Sequence, residues 1–230
     1  MDFAKFISFL STGALYFARV DRLGDDSEGA IPLGSAASFH AFVEKARLGG
    51  PEAERKDWRT AWLEAYEREK WSIFVSCWYC KKQESDQMWT KYAKPYGLAI
   101  RSTYEQLNAS LPLGWNSREV LLGLVSYGDY DSPEYVRDVT NHFNLFMSKR
   151  LEHEDDHEVR AVIGDWRITR EEAMDGLAVS VLSHTLVEAV VTAPGAPDWF
   201  VDTVAAACRA FNLDVPVERS ALDRVPRVPF

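Results

Sequence analysis

A chain of 230 residues with 47% apolar and 27% charged residues has an ordinary globular balance, which excludes a disordered chain and suits a single α+β domain over residues 1–230. Its formal net charge of -9 works against bulk binding to duplex nucleic acid or to an anionic membrane, although a local basic groove stays open. Three cysteines, Cys77, Cys80 and Cys208, are too few and odd in number for a disulfide framework, which suits a reducing, cytoplasmic setting.

Phe3, Phe6, Ile7 and Leu10 recur at helical spacing, so the chain opens on an amphipathic helix closed by Gly13. The polar break at Ser11-Thr12-Gly13 and the acidic Asp2 do not suit a secretory signal. Leu15–Val20 predicts a strand, with Tyr16 and Ala18 on one face and Phe17 and Arg19 on another. A turn-rich stretch carrying Asp25, Asp26 and Glu28 follows. Phe39 marks a second helix ending at Gly49-Gly50, and Pro51 starts a third whose stripe includes Trp62 and Tyr66.

Trp71–Trp78 is β-branched and aromatic and predicts a central strand. Met88, Trp89 and Tyr92 share one side of a short helix that Pro95 stops. Next come a strand at Gly97–Arg101, a helix at Tyr104–Leu111 and a strand at Val120–Tyr127. Ser132-Pro133-Glu134 reads as a helix start, with Val139, Phe143, Phe146 and Met147 as the core face. Glu158–Ile163 alternates as a strand, and strands at Leu177–Val181 and Leu186–Thr192 follow. A helix at Ala196–Phe211 and a strand near Val215–Glu218 close the chain. Gly176–Ala193 contains His184 and Glu188 and is too polar for a membrane span. The expected architecture is one mixed, largely antiparallel central sheet of about eight strands flanked by helices.

Two short motifs carry metal or redox associations. His153-Glu154-Asp155-Asp156-His157 fits H-E-x-x-H, but both spacer residues are Asp, and a solvated helix end explains the segment, so no zinc is expected. Cys77-Trp-Tyr-Cys80 is a lone pair inside a strand, better explained as core cysteine plus coincidence. Three acid-bearing segments remain: Arg19 to Glu28, Glu84-Ser85, and Lys149 followed by Asp156-x-Glu158-x-Arg160. On a strand, Asp156, Glu158 and Arg160 share a face, which is an acid/base site, a divalent-metal site or an ion-pair ladder.

The blocks LYFARVDRLGDDSEG, FVSCW with ESDQMWTKYAKPYGLAI, VSYGDY, and KR with HEVRAVI occur in order. In this they resemble the bacterial and phage-associated domain-of-unknown-function family numbered 2971, over about residues 3 to 165, leaving 166–230 as a C-terminal strand-helix extension. The family's Asp-Pro-aromatic-Glu stands here as Asp25-Asp26-Ser27-Glu28, which keeps both acids and loses the Pro and the aromatic. Family members also begin with an aromatic-Arg-Tyr strand that is not seen before Met1.

The order of elements is similar in outline to ADP-ribosyltransferase-like folds, which implies an NAD-using enzyme or a toxin or phage-defence effector. On that resemblance Glu158, Asp156 and Glu28 are the catalytic acids. Arg19, Asp25, Tyr92, Trp89, Lys149 and Arg160 bind the cofactor, with Tyr16 as a further stacking candidate. Asp25, Glu28, Glu158 and Arg160 are then expected around one cleft with Tyr92 or Trp89 in its wall. Two alternatives stay open: a metal-dependent hydrolase of nucleic acid or nucleotides using Asp25, Glu28, Asp156 and Glu158, and a non-enzymatic module for a small nucleotide-like ligand or a protein partner.

Overall fold

The computed structural model describes residues 1–25, 27–47, 57–93, 96–112, 119–141 and 143–224. Asp26, the helix break at Gly49-Gly50, the helix start at Pro51 and the stop at Pro95 lie outside them. In chain order the first elements are α1 (Phe3–Thr12), β1 (Ala14–Arg19), α2 (Leu33–Arg47), α3 (Asp57–Ser72), β2 (Ile73–Tyr79), α4 (Asp86–Tyr92), β3 (Leu98–Arg101), α5 (Tyr104–Ser110) and β4 (Val120–Leu124). There follow β5 (Ser126–Gly128), α6 (Phe143–Phe146), β6 (Ser148–Arg150), β7 (Glu158–Gly164), β8 (Gly176–Ser180), α7 (Ser183–Leu186), β9 (Ala189–Thr192), α8 (Asp198–Ala210) and β10 (Val217–Arg219).

The protein is mixed α+β, with a mostly antiparallel five-stranded sheet, in the order β4-β7-β2-β1-β8, flanked by helices. The chain folds into two compact units interleaved in sequence: Met1–Tyr16, Lys81–Trp115 and Ala178–Phe230 form one, Phe17–Cys80 and Asn116–Leu177 the other. No helix among the described residues is long and apolar enough to cross a membrane.

In the unit built from Phe17–Cys80 and Asn116–Leu177, β7 is paired on both sides. It runs antiparallel to β2 from Ile73↔Gly164 to Tyr79↔Glu158, and antiparallel to β4 from Val120↔Ile163 to Leu124↔Val159. Its residues Glu158 to Ile163 are all buried, as befits a strand with two neighbours and two covered faces. Val20, Ile73, Val75, Val139, Leu145, Phe146 and Val162 form one apolar cluster, with Trp62 and Tyr66 of α3 packed against it. Burying a side chain such as Phe146 contributes about 2–3 kcal/mol.

In the other unit, Asp2 caps α1 by accepting from the Lys5 amide, and Gly13 closes it in the left-handed region at φ 61°. β9 pairs antiparallel with β3 and parallel with β10. Trp89, Ala93, Val191 and Ala193 form its small apolar cluster.

Several expectations are corrected. The central sheet has five strands rather than about eight, because β3, which carries Ile100, and β10 both pair with β9 in a separate three-stranded sheet. Hydrophobic pattern specifies a strand's faces and not its neighbour. The expected helix from Ser132 forms only at Phe143–Phe146. Asp129, Ser132 and Asp138 use their side chains to accept from the amides of Asp131, Glu134 and Thr140, local bonds that compete with a helix. Val120–Tyr127 is broken at Val125, where the amide of Val125 bonds to Glu158 and that of Ser126 to Met147. The chain there changes partner from β7 to β6. Trp71 ends α3 instead of opening β2, and Leu186 belongs to α7 instead of β9. Cys77 and Cys80 are exposed rather than core residues, while Cys208 is buried.

Candidate functional site

Arg160 lies at the middle of β7 and is fully buried. A buried guanidinium is tolerated only when acceptors offset its lost hydration. Here its Nη2 and Nη1 donate to the two carboxylate oxygens of Glu28 at 2.6 and 2.8 Å. Its Nε donates to Glu158 at 2.8 Å, and Nη1 also donates to the carbonyl of Phe146 at 2.7 Å.

Glu28 reaches this position because of the turn that carries it. The Asp25 carboxylate accepts from both the amide and the hydroxyl of Ser27, and the Glu28 amide donates to the Asp25 carbonyl. Gly29 follows at φ 73°, and a Cβ there would fall 2.4 Å from the Phe146 ring. The turn therefore packs its backbone directly on the residue whose carbonyl holds Arg160.

On the other side of Glu158 stands Lys149 of β6. Its ammonium donates to Glu158 at 3.0 Å and to Asp156 at 2.8 Å. Asp156 was expected on the strand beside Glu158, but it ends a 3₁₀ turn, Leu151–Asp156, and His157 at φ 39° separates it from β7. It nevertheless meets the same lysine. Asp156, Lys149, Glu158, Arg160 and Glu28 thus form an unbroken row of alternating charge, buried throughout. The Tyr127 hydroxyl accepts the Glu158 amide at 2.8 Å and pins the start of β7.

Burial alone would raise the pKa of Glu158, but the Arg160 and Lys149 charges and their hydrogen bonds hold it below the ordinary value. Burial likewise works against the charge on Lys149, and the bonds and charges of Asp156 and Glu158 raise its pKa regardless. For Asp25, burial opposes ionisation, while the Ser27 bonds and the His153 and Lys149 charges lower its pKa. The second Asp25 oxygen is 3.6 Å from Nε2 of His153.

Glu28 and Asp25 also border a cavity of about 260 Å³, with Asp21, Tyr66 and Lys70 among its other walls. The Tyr66 hydroxyl donates to the Gly29 carbonyl at 2.8 Å, its ring stacks on Trp62, and the Lys70 ammonium sits 4.7 Å from the ring centre. The cavity wall therefore carries a phenol, a cation and carboxylates.

The sequence-predicted residues divide as follows. Glu28, Lys149, Asp156, Glu158 and Arg160 are brought together, and Asp25 stands beside Glu28 in the cavity wall. Arg19 is buried on β1, where it donates to Asp21 and to the carbonyls of Ala173 and Met174. Trp89 and Tyr92 belong to the unit that also contains Tyr16. There the Trp89 indole donates to Glu84 at 2.9 Å, and Tyr92 is exposed with the Lys91 ammonium 5.2 Å from its ring centre. Tyr66 and Lys70 are absent from the sequence-based site. Their signal was the four-residue spacing of Trp62, Tyr66 and Lys70 on one helical face.

Among the described residues, no group of three His, Cys, Asp or Glu is placed to hold a metal ion. Both oxygens of Glu28 and of Glu158 already accept from cations. No family model, curated protein or solved structure matches the chain.

Proposed function

We propose that this chain handles a small nucleotide-like ligand at the cavity bordered by Glu28, with NAD as the ligand class and ADP-ribosyl transfer as the reaction. One observation carries the reading. A single buried guanidinium, Arg160, joins Glu28 in the cavity wall to Glu158 on the central strand. Acids drawn from separate segments and fixed in one charged row suit a preorganised site better than a solvated surface does.

In this reading the edge of Tyr66, whose faces meet Trp62 and Lys70, borders the nicotinamide end, and Lys70 meets a phosphate. Asp25 faces the ribose, where it opposes the positive charge that develops as a glycosidic bond to a pyridinium nitrogen breaks, while Glu28, held by Arg160, fixes the wall beside it. Glu158 and Asp156 act at one remove, by holding Arg160 and Lys149 in place. A second reading, a binding module without catalysis, draws on the fact that both Glu158 oxygens are already engaged, leaving none open to a substrate hydroxyl.

The test is the melting temperature with NAD, ADP-ribose and nicotinamide, together with chromatography for nicotinamide release. A rise with NAD that is lost in Lys70→Ala supports the cavity, since only ligand bound to the native state stabilises it. Release of nicotinamide then separates the enzyme from the module. If none of the three compounds moves the melting temperature, the nucleotide reading fails.

A further inference from the structure

A second cavity, of about 380 Å³, lies wholly within the unit built from Met1–Tyr16, Lys81–Trp115 and Ala178–Phe230. Its walls combine apolar and polar side chains. Leu10 at the end of α1, Leu182 before α7, and Phe211 and Leu213 after α8 supply apolar surface. Leu182 is 63% exposed and Phe211 41%, so large apolar side chains stand in water around a concavity. Ser183 and His184 of α7 line it as well, and neither side chain makes a hydrogen bond to a described residue. Among the described residues the lining contains no Asp, Glu, Lys or Arg, and His184 is its one ionisable side chain.

This is the reverse of the Glu28 cavity, which is ringed by carboxylates. A volume in the lower part of the range for ligand pockets, with five apolar side chains and three polar ones in one lining, suits a small amphipathic molecule. The head group follows from the donors. An imidazole N–H and a serine hydroxyl suit a carboxylate, and no acid in the wall repels one.

We infer that this cavity binds a medium-length alkyl monocarboxylate, with the chain against Leu182, Phe211 and Leu213 and the carboxylate at His184 and Ser183. Occupancy covers the exposed faces of Leu182 and Phe211 and gives Ser183 and His184 an acceptor. The site stands apart from the proposed nucleotide site in residues and in ligand chemistry, and neither reading depends on the other.

The experiment is calorimetric titration of the full chain with sodium octanoate, octanol and sodium acetate at constant ionic strength. Octanoate should bind saturably at one site, acetate not at all, and octanol about tenfold more weakly for want of the charge-assisted bonds. His184→Ala should weaken octanoate to the level of octanol while leaving octanol unchanged. Leu182→Asp should abolish binding of both, because it places a carboxylate among the apolar walls. Both positions are exposed, and melting curves without ligand confirm that the variants fold. Absence of saturable octanoate binding overturns the inference. So does equal binding of octanoate by the wild type and both variants, which marks unspecific, detergent-like association.

Discussion

Arg160 holds both carboxylate oxygens of Glu28, at 2.6 and 2.8 Å, although 132 positions separate the two residues in the chain. Such a pair closes a long loop with two parallel charge-assisted bonds between side chains almost wholly removed from water. Removing one partner leaves an uncompensated buried charge, so Glu28→Ala should cost about 3–5 kcal/mol in denaturant unfolding. Arg160→Met should be comparably harmful, and the double variant should lose less than the two singles added together. Strict additivity would mean that the pair is not coupled.

Acid stability should report on Glu158. Its pKa is depressed in the folded state, so its contribution is fully present above the unfolded value of about 4.3 and is lost as pH falls through the folded value. Asp25 adds a contribution of the same sign. Stability should therefore fall steeply below about pH 4.3. In Glu158→Gln that slope should be shallower, with the deficit from wild type largest near pH 7. An unchanged slope in Glu158→Gln would show that other carboxylates govern acid unfolding.

Gly29→Ala offers a test of the turn that presents Glu28. The backbone there lies at φ 73°, and the added Cβ would collide with the Phe146 ring. A loss of more than about 1 kcal/mol is expected from the backbone conformation alone, with steric strain added. If thermal unfolding of Gly29→Ala matches wild type, the turn is not held against Phe146.

In the other unit, Glu84 gathers three donors: the Trp89 indole, the Ser220 hydroxyl and the Ala221 amide. Glu84→Ala strands all three, and Trp89 and Ser220 are buried. A loss of about 2–3 kcal/mol is expected, with altered Trp89 fluorescence as its local environment opens. Retention of wild-type stability would show that water replaces the carboxylate without cost.

Much of this was legible from residue pattern. The apolar run before Tyr79 and the alternation from Glu158 to Ile163 marked β2 and β7, and they also placed Glu158 and Arg160 on one face. What pattern did not convey was pairing. Ile100 sits in an ordinary strand sequence, yet its partners are the distant Val190 and its neighbours in β9. Asp156 was assigned to a strand face because its spacing fits, and the left-handed backbone at His157 undoes that spacing. The cavity was least visible, because Tyr66 and Lys70 carry the ordinary marks of an amphipathic helix and only the turn at Gly29 turns that helix into a wall.

The interleaving of the two units has a bearing on synthesis at the ribosome. Every segment of the unit carrying Glu28 and Arg160 has been made once Leu177 is added, whereas the other still lacks β9, the strand that holds both β3 and β10. The charged row can therefore close while the later segments are still in the exit tunnel. The residues from Met1 to Tyr16 and from Lys81 to Trp115 must meanwhile wait, with their apolar side chains uncovered, for the last stretch of chain to emerge. A nascent chain stalled once Leu177 has cleared the exit tunnel would expose that waiting half to chaperones and proteases, and not the half that contains Arg160.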